Sequence, residues 1–204
     1  MEREESAVTH ENTPTATFYL DPICPWAYRT SLWIREARKV RPIEIEWKFL
    51  SLRAVNEGTE NLKDAHSMSQ NAFRLMALAR REHGEEAVDR LYETIGRARH
   101  EERQDIGDVD VLKRATQEAG FDPELVDRAL ADESTLDEVQ TDHQSGVECG
   151  AFGVPTIQLN GECGGFFGPV ISEVPEGEAA GRLWDHFAWF ANEPSFYEIK
   201  RVRT

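Results

Sequence analysis

Apolar and polar positions alternate along the chain in three successive rhythms. Thr17 to Asp21 (TFYLD) is a short run of β-formers and predicts a strand. Pro22 and Pro25 bracket a turn. From Trp26 to Val40 the apolar residues Trp26, Leu32, Trp33, Ala37 and Val40 recur at roughly helical spacing, and Pro42 closes that helix. Ile43 to Leu50 (IEIEWKFL) alternates apolar and charged residues through Trp47, the pattern of a strand with one covered face. Strand, helix, strand is a βαβ unit.

The rhythm then changes. From about Leu62 to Gly146 charged residues separate apolar ones at helical spacing, with breaks at Gly84, Gln104 to Gly107, Gly120 to Pro123 and Asp132 to Ser134. SQNAFRLMALARREHG places Phe73, Met76, Ala77 and Arg80 on one side and ends at Gly84, a good C-cap. FDPELVDRAL begins a helix with Asp122 as N-cap and Pro123 at the first helical position. The block reads as about four or five helices without a strand. After Gly150 the strand pattern returns. Val154 to Gly161 (VPTIQLNG) is a strand ending in an Asn-Gly turn, and GFFGPVI is the return strand. Gly177 to Asn192 is a closing amphipathic helix with Leu183, Trp184, Phe187 and Phe190 on or near its buried face.

A βαβ half and a ββα half predict an α/β chain with the thioredoxin fold and an inserted all-helical domain. The expected boundaries are a flexible tail over 1–16, thioredoxin-like parts over 17–58 and 150–204, and the helical insertion over 59–149.

Composition narrows the function classes. The 204 residues are 40% hydrophobic, enough for a core that buries about 70% of the surface of the unfolded chain. The net charge of -15, with a pI near 4.8, repels phosphate backbones and anionic membranes, so nucleic acid and membrane are not expected partners. No stretch reaches the ~18 to 20 apolar residues of a membrane span, and MEREESAVTHENTPTA lacks the apolar core of a signal peptide. A cytoplasmic location, where thiols stay reduced, is the expectation. Three cysteines without paired spacing argue against a disulfide framework. The six histidines show no ligand spacing, so no metal site is expected, and neither G-x-G-x-x-G nor a Walker motif is present.

The chemistry concentrates at Cys24. It falls where the first strand meets the first helix, with Pro25 at the first helical position, where a missing N–H does no harm. As N-cap, its sulfur meets the open N–H groups of the first turn, and the helix dipole favours the thiolate. A single cysteine is more often a small buried hydrophobe, but the D-P-x-C-P-W turn favours a reactive thiol here. Val154-Pro155-Thr156 is the second signal. A proline opening a central strand is poorly tolerated in the ladder, and a cis Val154–Pro155 bond would set the Val154 backbone opposite Cys24.

These segments carry a resemblance. FYLDPICPWAYRTSLWI, FGVPTIQLNG, FFGPVISEVPEGEAAGRLWD and FYEIKRVRT resemble the DsbA-like thioredoxin-fold oxidoreductases, and within them the mycothiol-dependent nitroreductases of actinobacteria. The resemblance implies a nucleophile at Cys24, with Trp26 and Pro155 matching the family pattern. It implies mycothiol as low-molecular-weight thiol cosubstrate, no tightly bound cofactor, and disulfides or electrophilic nitro compounds as substrates.

The chain departs from the dithiol motif, because Ala27 stands where the second cysteine belongs. Attack on a disulfide needs one thiolate, so Cys24 retains monothiol exchange while the motif loses its internal resolving step. Cys149 reads first as a structural or incidental thiol, with a resolving role as the alternative. Cys163 is expected at the hairpin end away from Cys24. Around the thiol, Arg29 is a candidate for an anionic ligand, Asn56 for contact with the thiol ligand and His100 for a position over the thiolate. Each has an ordinary surface or loop role as its alternative. A thiol-dependent isomerase or kappa-class-like glutathione transferase, a non-catalytic thiol-binding protein, and a homodimer through the helical block all stay open at this level.

Overall fold

Thr15–Leu20 forms β1, and its alternation decides both sides of the sheet. Phe18 and Leu20 enter the main core with Trp47 and Phe49, their register partners on β2, Glu44–Phe49. Tyr19 points to the opposite side, as period-two geometry requires. The computed structural model describes residues 13–61, 63–161 and 164–201. Most of the expected tail, Leu62, Cys163 and the last three residues of the closing segment lie outside the described residues.

Between β1 and β2 runs α1, Pro25–Arg38. After β2 come α2 (Leu52–Val55), a 3₁₀ turn (Asp64–Met68), and then α3 (Ser69–His83), α4 (Glu85–His100), α5 (Val109–Glu118), α6 (Glu124–Ala131) and α7 (Ser134–Glu148). The chain returns through β3 (Thr156–Leu159), β4 (Phe166–Phe167) and α8 (Gly177–Ala191). The sheet order is β2-β1-β3-β4, with β1 and β2 parallel and the other pairs antiparallel. This is the βαβ…ββα thioredoxin arrangement, with an all-helical insertion between its halves.

Several boundaries move from their sequence expectation. β1 starts at Thr15 and takes two residues from the segment assigned to the tail, because Asn160 exchanges hydrogen bonds with Thr15 and lengthens the ladder. Helix α1 stops at Arg38, where Lys39 and Val40 donate to the carbonyls of Glu36 and Ala37 in tighter three-residue turns. The return strand expected over GFFGPVI is only two residues long. Gly168, at φ 112°, turns the backbone out of the sheet, and Pro169 has no N–H for the ladder. The Asn160-Gly161 turn has both φ values positive, 53° and 69°, as its sequence predicts.

The helices fall at the expected breaks. Gly84 closes α3 at φ 83°; α6 starts one residue later than expected, with Pro123 rather than Asp122 at the cap position, and the Asp122 carboxylate accepts the Glu124 N–H from just before it. Helices α1 and α8 pack through Trp33, Trp184 and Phe187. Helix α4 crosses α1, tied by the buried ion pair of Arg35 with Asp89 under the Trp47 ring. A Cβ on Gly96 of α4 would overlap the Tyr28 ring of α1, so only glycine permits this approach. The end of α7 rests on Tyr19, whose hydroxyl lies 3.3 Å from Ser145 Oγ.

Candidate active site

The end of β1 delivers the chain into the turn Asp21–Cys24, closed by the Cys24 N–H donating to the Asp21 carbonyl at 2.9 Å. Cys24 is the N-cap of α1, with extended φ and ψ of −84° and 114°. Pro25 follows inside the first turn. The Ala27 N–H donates to Cys24 Sγ at 3.5 Å, so the sulfur takes the place that a serine or aspartate oxygen takes in ordinary caps. It therefore sits on the positive end of the helix dipole, which favours a thiolate over a thiol.

Across the cleft the Val154–Pro155 bond is cis, and in the thiol form Cys24 donates to the Val154 carbonyl at 3.4 Å. Cys24 is 6% exposed and Ala27 is fully buried, while Pro25 is exposed and Trp26 half-buried. Arg29, one turn further along α1, is exposed and reaches over the Trp26 ring at 5.4 Å. Tyr19, Ala27, Leu50, Cys149, Ala151 and Val154 form one apolar cluster with Cys24, flanked by Trp26, Leu52 and Val55.

The structure brings some sequence candidates to this cluster and turns others elsewhere. Cys149 ends α7 within it, buried, its thiol donating to the Gly146 carbonyl at 3.2 Å. Asn56 caps α2, its side-chain amide donating to the Leu52 carbonyl at 2.7 Å, so that amide is turned back along the helix. His100 is not the solvated histidine of a charged helix. Its Nε2 donates to the Pro22 carbonyl at 2.8 Å, and its ring stacks on Tyr28 at 5.1 Å. A carbonyl only accepts, so Nε2 carries the proton. Burial is the main cause that pushes the His100 pKa below its usual value, with Arg99 and Arg29 adding to it.

Sequence reasoning missed the polar groups behind the thiol. Asp21 is fully buried, and burial raises its carboxyl from 3.8 to about 6 against the pull of three hydrogen bonds. Tyr28 donates to Glu101 at 2.7 Å, and burial followed by that bond lifts its phenol well above 10.0. The Tyr92 hydroxyl is buried without a hydrogen bond of proper geometry. It faces Ser31, whose own proton goes to the Tyr28 carbonyl. The one available signal was Asp21 itself, a carboxylate between an apolar strand and an apolar turn.

Comparisons with known proteins bear on the family and the fold. A Mycobacterium tuberculosis (strain ATCC 25618 / H37Rv) protein described as "Uncharacterized protein Rv2286c" is 37% identical over 193 residues, covering 93% of this chain and 83% of its own length. The cytosolic disulfide reductase DsbM from Pseudomonas aeruginosa, solved with GSH, superposes with a TM-score of 0.63 at 16% identity over 86% of this chain and 99% of its own. A probable DsbA oxidoreductase from Streptomyces coelicolor, SCO1869, gives 0.59 at 18% identity over 93% and 94%. Both share the fold, that of the DsbA-like oxidoreductases. The family model for the mycothiol-dependent nitroreductase Rv2466c matches residues 23–201, from the turn before Cys24 to the closing segment, and the chain belongs to that family.

Proposed function

We propose that the protein is a monothiol oxidoreductase in which Cys24 exchanges disulfides with a low-molecular-weight thiol such as mycothiol. The observation that carries this reading is the placement of Cys24 Sγ, capped by the Ala27 N–H and facing the Val154 carbonyl. The Cys24 thiolate attacks one sulfur of a disulfide, forms a mixed disulfide and releases the other half as a thiolate, which takes up a proton. A second small thiol then attacks the mixed disulfide and returns Cys24 as thiolate. Reduction of a nitro group to nitroso by the same pool converts two thiols to one disulfide and releases water.

Once Cys24 has lost its proton, the Val154 carbonyl is open to accept an amide N–H of the thiol partner. Trp26 covers one side, Pro155 shapes the strand entry, and exposed Arg29 offers a charge to an anionic group. His100 holds the turn through Pro22. Asn56 is a weaker candidate for ligand contact, since its amide is engaged on α2. Were Cys149, in the same cluster, to resolve the mixed disulfide, the adduct would give way to a Cys24–Cys149 disulfide and the monothiol reading would fail. A cytoplasmic setting would keep Cys24 reduced, and no helix among the described residues is long and apolar enough to cross a membrane.

Ala27 also favours a second reading, in which a bound cosubstrate thiol is the nucleophile and Cys24 only activates it, as in an isomerase or transferase. Intact mass after incubation with oxidised mycothiol, with oxidised glutathione in parallel, separates the two. The expected result is an adduct on Cys24 that added thiol releases and that Cys24→Ser lacks. No adduct with either disulfide, together with turnover that survives Cys24→Ser, would move the assignment to the second reading.

A further inference from the structure

We propose that Asp21 is a positioning residue for Cys24. Its carboxylate ties the turn before the thiol to the starts of α2 and α3, so its protonation state sets the reactivity of the sulfur. The proposal rests on Cys24 being the nucleophile of the reading above.

The side chain is fully buried, and three donors from three segments converge on it. Oδ1 accepts the Ile23 N–H at 3.1 Å and the Ser69 hydroxyl at the start of α3. Oδ2 accepts the Leu52 N–H at the start of α2 at 2.8 Å. The main-chain carbonyl of the same residue accepts the Cys24 N–H. One residue therefore holds the turn at both its last amides and fixes α2, whose Leu52 and Val55 pack against the Cys24 cluster.

An ionised carboxylate accepts at both oxygens and suits three donors. A protonated one carries a hydrogen that meets N–H groups unable to accept it. The Ser69 hydroxyl can rotate and accept that hydrogen from Oδ1, which then holds the Ile23 N–H as a weaker, uncharged acceptor, so protonation loosens the turn before Cys24. Burial opposes the anion and brings this change to about 6, inside the working range of a thiol enzyme. The groups that face the carboxyl are Ser69 from α3, Leu52 from α2 and Ile23 from the turn. On the α4 side, the Tyr92 phenol feels the charges of both Asp21 and Cys24. A buried anion this close also disfavours a thiolate, so the two ionisations are coupled.

The test is the rate of Cys24 alkylation by iodoacetamide, read by intact mass from about pH 5 to about pH 9. The protein carries Cys149→Ser and Cys163→Ser, and the Asp21 carboxyl is followed separately by its ¹³C resonance. The expected profile has two inflections, one of them coinciding with the carboxyl titration. Asp21→Asn loses that one. Ser69→Ala, which removes one donor from the anion, moves it to higher pH. A folded Asp21→Asn protein that keeps both inflections would overturn the proposal. So would a Ser69→Ala profile identical to its parent, which decides the matter if the asparagine variant does not fold. Alkylation needs no thiol cosubstrate, so a failed mycothiol adduct would sink the proposed function and leave this result standing.

Discussion

Ala27 separates this site from a dithiol enzyme by one sulfur atom. Its amide already touches Cys24 Sγ at 3.5 Å, and the two Cα atoms stand one helical turn apart, about 5 to 6 Å, within disulfide reach. Ala27→Cys is therefore expected to close a disulfide within the motif. After exposure to an oxidised small thiol its intact mass should fall by two hydrogens and carry no adduct, whereas the native protein keeps the adduct. A persistent adduct on the variant would mean that a sulfur at position 27 is not enough to resolve the mixed disulfide. Neither the Cys24 cap nor this consequence needs more than the local order Cys24-Pro25-Trp26-Ala27, and so both were legible before the fold. Asp21 was not, because nothing in the sequence says that Leu52 and Ser69 come to meet it.

Among the elements, the crossing of α1 with α4 carries the most for the site. Gly96 lets the Tyr28 ring lie against α4, and Tyr28 in turn stacks on His100 and donates to Glu101. Gly96→Ala would force the ring aside. The expected cost is about 1 to 3 kcal/mol, as for other overpacked positions, seen as a lower denaturant midpoint. The same shift should slow adduct formation at Cys24, because His100 holds the turn through the Pro22 carbonyl. An unchanged midpoint would show that the helices separate at little cost and that the contact is loose. The elements themselves were well foreseen, since apolar spacing, Gly84 and the Asp122-Pro123 start encode them locally. The short β4 was not foreseen, because its length depends on how Gly168 and Pro169 meet the sheet edge.

At the scale of the molecule, the buried ionisable groups act on stability in opposite directions. Asp21 titrates higher folded than unfolded, so the folded state holds its proton more tightly. The stability it lends is present below about 4 and is lost as pH rises through about 6. A shift of this size corresponds to roughly 3 kcal/mol. His100 and His143 are held below 6.5 by burial, so the stability they lend is present above 6.5 and is lost as pH falls. Native protein thus balances the two between about pH 4 and about pH 6.5. Glu85 and Asp142, also raised by burial, act on the same side as Asp21, so Asp21→Asn removes part of that side, and urea midpoints across that window should fall more steeply on acidification than in the native protein. A parallel pair of curves would place the Asp21 titration in the unfolded range.

The site draws on the turn after β1, on α2, α4 and α7, and on the loop before β3. Amino-acid order alone pointed to the order of most elements and to the capped thiol, because periodicity and caps act over a few neighbouring residues. It also pointed to the partnership of Cys24 with Val154, since a proline at a strand entry implies a break in the ladder. Only the tertiary structure decided that His100 grips Pro22, that Asn56 turns back onto α2, and that Cys149 shares the thiol's cluster. Only it showed a buried carboxylate joining three segments. Those contacts link residues tens of positions apart, and their energies come from burial, which the chain acquires when its halves close around the insertion.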